Sequence, residues 1–222
     1  MTTSVPRKRG RPPGKAFDAR ERLLAATRIV YGERGIHNTT VEMILEEAGV
    51  SRPTFYKYFA SAREAIEQLV IGMNDDVEAL LNKIFTTEQK RYYDYLPMIL
   101  SGYLNWGRAQ GTLMQARFRE LHDTTSPVCT HRTAHNLRIM KMIATMMSSH
   151  DAPRPTDVAL SSLVHSIEFL GYQFCVAADH SEMPVYMQVM ARNAFAMLGT
   201  REDWDAAMAD AFYARLLGLE AS

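Results

Sequence analysis

Two stretches of the chain collect side chains that could act on a polyanion. The first is RKRGRPPGK, residues 7–15, with five cations in nine positions and no acid. Its core, Arg9-Gly10-Arg11-Pro12, suits a narrow groove of strong negative potential. Gly10 lets the backbone lie on the groove floor, Arg9 and Arg11 enter it, and Pro12 keeps the chain extended. The second stretch is TTVEMILEEAGVSRPTFYKYF, residues 39–59. Thr39 and Thr40 open a helix whose free N–H groups and hydroxyls suit a phosphate. Arg52, Pro53, Thr54, Tyr56 and Lys57 fall on a short second helix, small enough for the major groove of B-DNA, where such side chains reach base edges. A third cluster, Cys129, His131 and His135 with His122 and Asp123 just before, has the thiolate-plus-imidazole chemistry of zinc. The further ligands such a site needs are not gathered in sequence, so neither a metal nor a cofactor is expected.

The elements that must hold these residues are helical throughout. Leu23, Leu24, Thr27, Val30 and Tyr31 follow the spacing of one helical face, which Gly35 ends. Thr39 or Thr40 caps a second helix, ended by Gly49, and Ser51 caps a third with Pro53 in its first turn. The turn between them, GVS, is short enough to force a steep crossing, with Ala48, Val50 and Phe59 facing inward. Further helical patterns occupy residues 61–85, 96–110, 112–122, 131–149, 157–179, 184–198 and 202–218. No strand alternation and no internal repeat is present, so the fold class is all-α. The expected division is a basic, disordered tail over 1–16, a DNA-binding unit over 17–60 and a helical body over 61–222.

Charge supports that division. The 222 residues carry 25 Lys and Arg against 25 Asp and Glu, yet residues 1–60 hold 11 cations and 6 acids. A basic front on an acidic body points to an anionic partner at the front. Two cysteines make no disulfide framework and fit a reducing compartment. The charged run Asp18, Arg20, Glu21, Arg22 stands where a signal peptide would need an apolar segment. No uncharged stretch approaches the roughly 18 residues that span a bilayer, so a cytoplasmic, soluble protein is expected.

Residues 17–70 resemble the TetR family of bacterial transcription regulators, through LLAATRIVYGERG (23–35), residues 39–59 and the helix start SAREAI. Two positions depart from the family's habit. Ala62 stands where a phosphate-contacting Lys is usual, with Arg63 next to it as the expected substitute, and Pro53 replaces a frequent Gly. The resemblance implies a homodimer with a helix-turn-helix on each subunit and an inducer pocket in the body. It places the dimer interface on the apolar helices 157–179 and 184–198, with Met190 and Phe195 as candidate contacts. RGRPP (9–13) resembles an AT-hook beside it, implying an AT-rich flank to a palindromic operator.

The body offers a methionine- and aromatic-rich set for that pocket: Tyr103, Trp106, Met114, Phe118, Met140, Ile143, Met147, Phe169 and Tyr172. Such stripes also build plain cores, but methionine adapts to irregular shapes and favours a broad apolar effector. His165, Glu168, Tyr172 and Gln173 interrupt an otherwise apolar helix and must be paired, exposed or at an interface, with His165 and Gln173 joining the candidate ligand set. No phosphate loop, nucleophile elbow or metalloprotease pair supports catalysis. The expectation is a non-enzymatic, ligand-responsive DNA-binding regulator, with repression the expected mode. An architectural AT-rich DNA protein or an all-helical enzyme would leave, respectively, the large body or the helix-turn-helix without a role.

Overall fold

The computed structural model describes residues 14–177 and 179–219, with side chains from Ala19 onward. Among them are eleven α-helices, three 3-10 turns and no strand. Arg9, Gly10 and Arg11 lie outside the described residues.

The front unit consists of α1 (Gly14–Arg34), α2 (Val41–Ala48) and α3 (Arg52–Phe55). Leu23, Ala26, Thr27, Val30 and Tyr31 are buried along one stripe of α1 at helical spacing. Leu23 and Ala26 pack with Ile44, Ala48, Phe55, Phe59 and Ala65 into a small core. Thr40 caps α2, its hydroxyl accepting from the Met43 N–H at 3.3 Å. Gly49 then turns the chain at φ 60° and ψ 38°, in the left-handed region, with its N–H on the Leu45 carbonyl at 2.9 Å. Arg22 reaches from α1 to the Ala48 and Gly49 carbonyls, so the end of α2 is held from two sides.

From Ser61, whose hydroxyl accepts from the Glu64 N–H at 3.1 Å, α4 (Ala62–Phe85) runs for 24 residues, about 36 Å, from the front unit along the body. The body is built from α5 (Leu96–Gln110), α6 (Thr112–Arg119), α7 (Pro127–Ser148), α8 (Asp157–Val176) and α9 (Met183–Leu198), closed by α10 (Arg201–Met208) and α11 (Ala211–Leu216). The sequence expects α7 from about 131, reading TTSP as a turn. Instead Ser126 caps the helix, accepting from the Val128 N–H at 3.1 Å, and Pro127 occupies the first position, where its missing N–H is harmless. The single helix expected over 202–218 is broken because the Asp210 carboxylate accepts from the Phe212 N–H at 3.0 Å and starts a new helix.

Two interface expectations fail. Met190 is fully buried and Phe195 is 2 % exposed, inside the core that Tyr93, Phe174 and Tyr213 share, so neither reaches the protomer surface. The exposed stripe of α8 comprises Val158, Ser162, His165, Phe169, Gln173 and Val176, at steps of three or four. On α9 the same rule picks out Val185, Val189, Arg192 and Ala196. Sequence spacing places the two helices well, but the residues it selects on α9 lie on the helix's inner face.

Because Gly49 sits at positive φ, Gly49→Ala is expected to cost about 1–2 kcal/mol, the penalty for a left-handed L-residue, and Gly49→Asn less. Urea midpoints of the two variants check this; equal midpoints would show that the turn tolerates a Cβ.

Candidate functional site

The first candidate surface is the outside of α3. Phe55 and Phe59 are sealed in the front core, at 0 % and 2 % exposure, and Phe55 meets Tyr56 edge-on at 5.4 Å between ring centres. These anchors fix the orientation of the helix and of the turn after it, so Arg52 and Pro53 on the helix stand exposed, Thr54 is half-exposed, and Tyr56 and Lys57, expected on the helix, stand exposed just past its end. The Ser51 and Thr54 hydroxyls share a hydrogen bond of 2.9 Å at its start. Arg52 is paired with Glu42 on α2, an exposed contact that a stronger anion can exchange.

Two residues assigned to this surface from sequence are elsewhere. Thr39 is buried and its hydroxyl donates to the Gly35 carbonyl at 2.8 Å, leaving only Thr40 exposed at the start of α2. The Arg63 guanidinium donates to the Thr125 carbonyl, in the loop between α6 and α7, and so ties the start of α4 to the body.

That tie belongs to a larger junction centred on Glu120, a buried residue just after α6. One of its carboxyl oxygens accepts from the Tyr31 hydroxyl at 2.8 Å and the Ser126 hydroxyl at 2.7 Å; the other accepts from the Ile36 N–H at 2.8 Å. Burial, reinforced by Glu120, pushes the Tyr31 pKa upward, so the phenol stays protonated and donates. Gly32 lets α1 and α6 close in here: a Cβ on it would lie 2.7 Å from the Thr112 hydroxyl and 3.2 Å from the Leu113 nitrogen. At the rim, His37 contacts Asp123 at 2.7 Å, and hydrogen bonds from the Thr125 hydroxyl and N–H hold the Asp123 carboxyl down at about 2. Sequence reading misses this junction, since a lone Glu after a helix carries no periodic signal.

The second candidate site is a cavity of about 130 Å³ among α4, α5, α7, α8 and α9, with Arg117 of α6 in its wall. Of the residues proposed from sequence, Tyr103, Trp106, Ile143 and Met147 line it. Tyr103 and Trp106 stack at 5.8 Å, and among the described residues the buried Trp106 Nε1 has no hydrogen-bond partner. The other proposed residues are not in the wall. Met114 packs into the core beneath α1 and α4. Phe118 stacks on Tyr172 at 3.8 Å and 5° and touches Phe169, joining α6 to α8. Met140 is half-buried away from the cavity, and His165 and Gln173 are exposed. Spacing alone does not separate the inner face of a helix that meets a cavity from one that meets another helix.

The wall also holds polar residues that a search for aromatics passes over: Arg117, His135, Asn136 and Glu168. Arg117 has a signal, since it stands four residues after Leu113 on the buried stripe of α6. His131 and His135 are each bonded to a carboxylate, Glu67 at 2.7 Å and Glu78 at 2.9 Å, and no group of three potential metal ligands exists among the described residues.

Against known proteins, residues 23–68 match the family model described as bacterial regulatory proteins, tetR family. The HTH-type transcriptional regulator YdgC of Bacillus subtilis is 31% identical over 70 residues, 32% of this chain and 36% of that protein. The HTH-type transcriptional repressor KstR2 of Mycobacterium tuberculosis is 34% identical over 65 residues, 29% of this chain and 32% of that protein. The alignments thus span about a third of those relatives' own length. Over the whole fold, the TetR-family transcriptional regulator SCO4454 of Streptomyces coelicolor superposes with a TM-score of 0.64 at 19% identity, over 88% of this chain and 97% of that one.

The Glu120 junction yields a direct expectation. Tyr31→Phe keeps the shape but removes one donor from a buried carboxyl, which costs about 1–3 kcal/mol. Urea unfolding of the variant reads this; unchanged stability would show that the junction does not depend on the phenol.

Proposed function

We propose that this chain, whose residues 23–68 match the tetR family of bacterial regulatory proteins, is a homodimeric transcriptional repressor that releases its operator when a small molecule fills the cavity. The observation that carries the reading is α3 with the turn that follows it, anchored by buried Phe55 and Phe59 with Arg52, Tyr56 and Lys57 left on the outside. Pro53 and Thr54 complete the surface offered to base edges, and Thr40 with the first N–H groups of α2 meets the phosphates. One relative, KstR2, 34% identical over 65 residues, is named a repressor, which favours repression.

The dimer forms through the exposed stripes of α8 and α9, where Val158, Phe169, Val176, Val185 and Val189 leave apolar surface uncovered. Two-fold pairing sets two copies of α3 against successive major grooves, about 34–36 Å apart or a multiple of it. Ligand in the cavity displaces α6, the Glu120 junction carries the shift to α1, and the spacing of the recognition helices moves off register. A coupling of about 1–3 kcal/mol changes operator affinity some 5- to 150-fold. Arg9, Gly10 and Arg11, outside the described residues, add a minor-groove contact to an AT-rich flank.

The test begins with an operator selected from random duplexes. Tyr56→Ala and Lys57→Ala are each expected to weaken specific binding by about 1–3 kcal/mol while helical content and the dimer stay intact. Wild-type affinity in either variant would remove that residue from the reading surface.

The tail separates from the recognition helix by base composition. Replacing flanking A·T pairs by G·C puts the guanine amine into the minor groove, which should weaken the full-length protein and leave a variant lacking residues 1–13 nearly unaffected. Salt dependence does not discriminate, because removing any cation from a phosphate flattens the log–log slope by about 0.9, wherever that cation sits on the duplex. Equal losses of affinity on flank substitution would reduce residues 7–15 to a charged tail.

A further inference from the structure

Three kinds of ionisable side chain in the cavity wall are neutral or neutralised. Burial raises the pKa of Tyr92, Tyr93 and Tyr103, which keeps them protonated. Burial lowers that of His135, which bonds Glu78, itself paired with Arg138 at 2.8 Å. Glu168 accepts two hydrogen bonds from Arg132, at 3.1 and 2.7 Å. Arg117 is different. It is 8 % exposed, and among the described residues its one hydrogen bond runs from Nη1 to the neutral Asn74 Oδ1 at 2.8 Å and no carboxylate comes within 4.0 Å of its nitrogens. Glu120, one turn further on, commits its oxygens to Tyr31, Ile36 and Ser126.

A guanidinium does not shed its proton, so this is a permanent buried cation without a counter-ion, an arrangement that is unfavourable until an anion joins it. A second unsatisfied donor lies in the same wall: Trp106 Nε1, packed with Tyr103 beside Val77 and Ile139. Asn74 on α4 and Val77 one turn after it place both donors along the same part of that helix. Further along α4, Leu80 meets Ile143, Met147 and Leu198, and nothing in that group is charged. The cavity therefore has a polar end, where among the described residues Trp106 Nε1 has no acceptor and Arg117 only a neutral one, and a hydrocarbon end.

We infer that the ligand of this cavity is a hydrocarbon monocarboxylic acid, aliphatic or aryl, whose carboxylate meets Arg117 and accepts from the Trp106 indole while its tail lies against Met147 and Leu198. The inference rests on the reading of the cavity as an effector site and replaces the purely apolar effector expected from sequence. A single uncompensated cation matches a monoanion; a dianion would need a second cation, and a neutral hydrocarbon would leave Arg117 unpaired. The carboxylate also bears on regulation, because Arg117 and Glu120 flank the last turn of α6. An anion drawing Arg117 away from Asn74 moves the helix end that holds α1.

Calorimetry on the full-length protein tests this with hexanoate, octanoate, decanoate and 4-phenylbutyrate, and with octan-1-ol and octanamide as uncharged matches. At least one acid is expected to bind more tightly than either neutral match. Arg117→Met should lower that acid's affinity about 10- to 100-fold and leave octan-1-ol within about threefold; Arg117→Lys should recover part of the loss. Trp106→Phe, which removes the N–H and leaves Arg117 intact, should weaken the acid about tenfold and keeps the inference testable if Arg117→Met folds poorly. Failure of all four acids to bind, equal affinity for the neutral matches, or an acid affinity unmoved by both Arg117→Met and Trp106→Phe would overturn it. Operator binding measured in parallel keeps the two readings apart. Retained operator binding with no acid bound overturns only the ligand class. Acid binding that leaves operator affinity unchanged supports the ligand class and removes its effector role.

Discussion

The buried Glu120 carboxyl is the constraint on which the arrangement of the two halves depends. Three donors converge on it, from the last turn of α1, from the backbone just after α1 and from the cap of α7. A buried acceptor of this kind tolerates few alternative geometries, because moving any one partner by about an ångström leaves a polar group unsatisfied in a low-dielectric interior. The front unit is therefore clamped to the body and not merely tethered through α4. Close approach at Gly32 and the ties of Arg63 and His37 to the 123–126 loop lie around that clamp. Surface ion pairs such as His37–Asp123 add little by themselves; their value is in continuing a contact that the buried carboxyl has already fixed.

The clamp gives α6 an importance out of proportion to its eight residues. Its inner stripe of Leu113, Met114 and Ala116 packs under α1 and α4, while Arg117 enters the cavity wall. The same helix thus touches the DNA-reading unit and the candidate ligand site without an intervening element. Coupling between sites needs a physical element whose position both sites bias. Here that element is short, buried and hydrogen-bonded at its C-terminal end, so a displacement imposed at Arg117 has few ways to dissipate before it reaches Glu120.

How much of this is legible in the sequence follows from how local each feature is. The helix-turn-helix is specified within residues 39–59 by a cap at Thr39 or Thr40, a left-handed Gly49 and an inward Phe59, readable from neighbours in the chain, while the burial of Phe55 comes from the structure. Even there Thr39 misleads, because its hydroxyl is claimed by a carbonyl one turn back that sequence inspection does not weigh against a phosphate. The body is legible as helices and illegible as a site. Met190 and Phe195 look like interface residues because apolar residues on α9 occur on both its inner and its outer face. The cavity's informative residues are polar, and the aromatic and methionine stripe draws attention to residues such as Phe118 and Tyr172 that simply hold α6 against α8. The Glu120 junction joins positions separated by 84 and 89 residues, a relation only the fold supplies.

The polar end of the cavity and the clamp together constrain any model of regulation. If an anion at Arg117 weakens operator binding, operator binding must weaken the anion's affinity by the same factor, since coupling between two binding equilibria is reciprocal. The clamp cannot itself be the switch, because releasing Glu120 from its donors would expose a buried carboxyl at a cost near the whole expected coupling. The least costly change keeps all three hydrogen bonds and moves α6, Glu120, Tyr31 and the start of α7 together as one body against α4. Among the contacts across that seam, the one that a ligand in the cavity reaches is Arg117 to Asn74, a single hydrogen bond from a charged group to a neutral amide. A carboxylate is a better acceptor for a guanidinium than an amide oxygen is, so the ligand's own chemistry would supply the force that opens the seam.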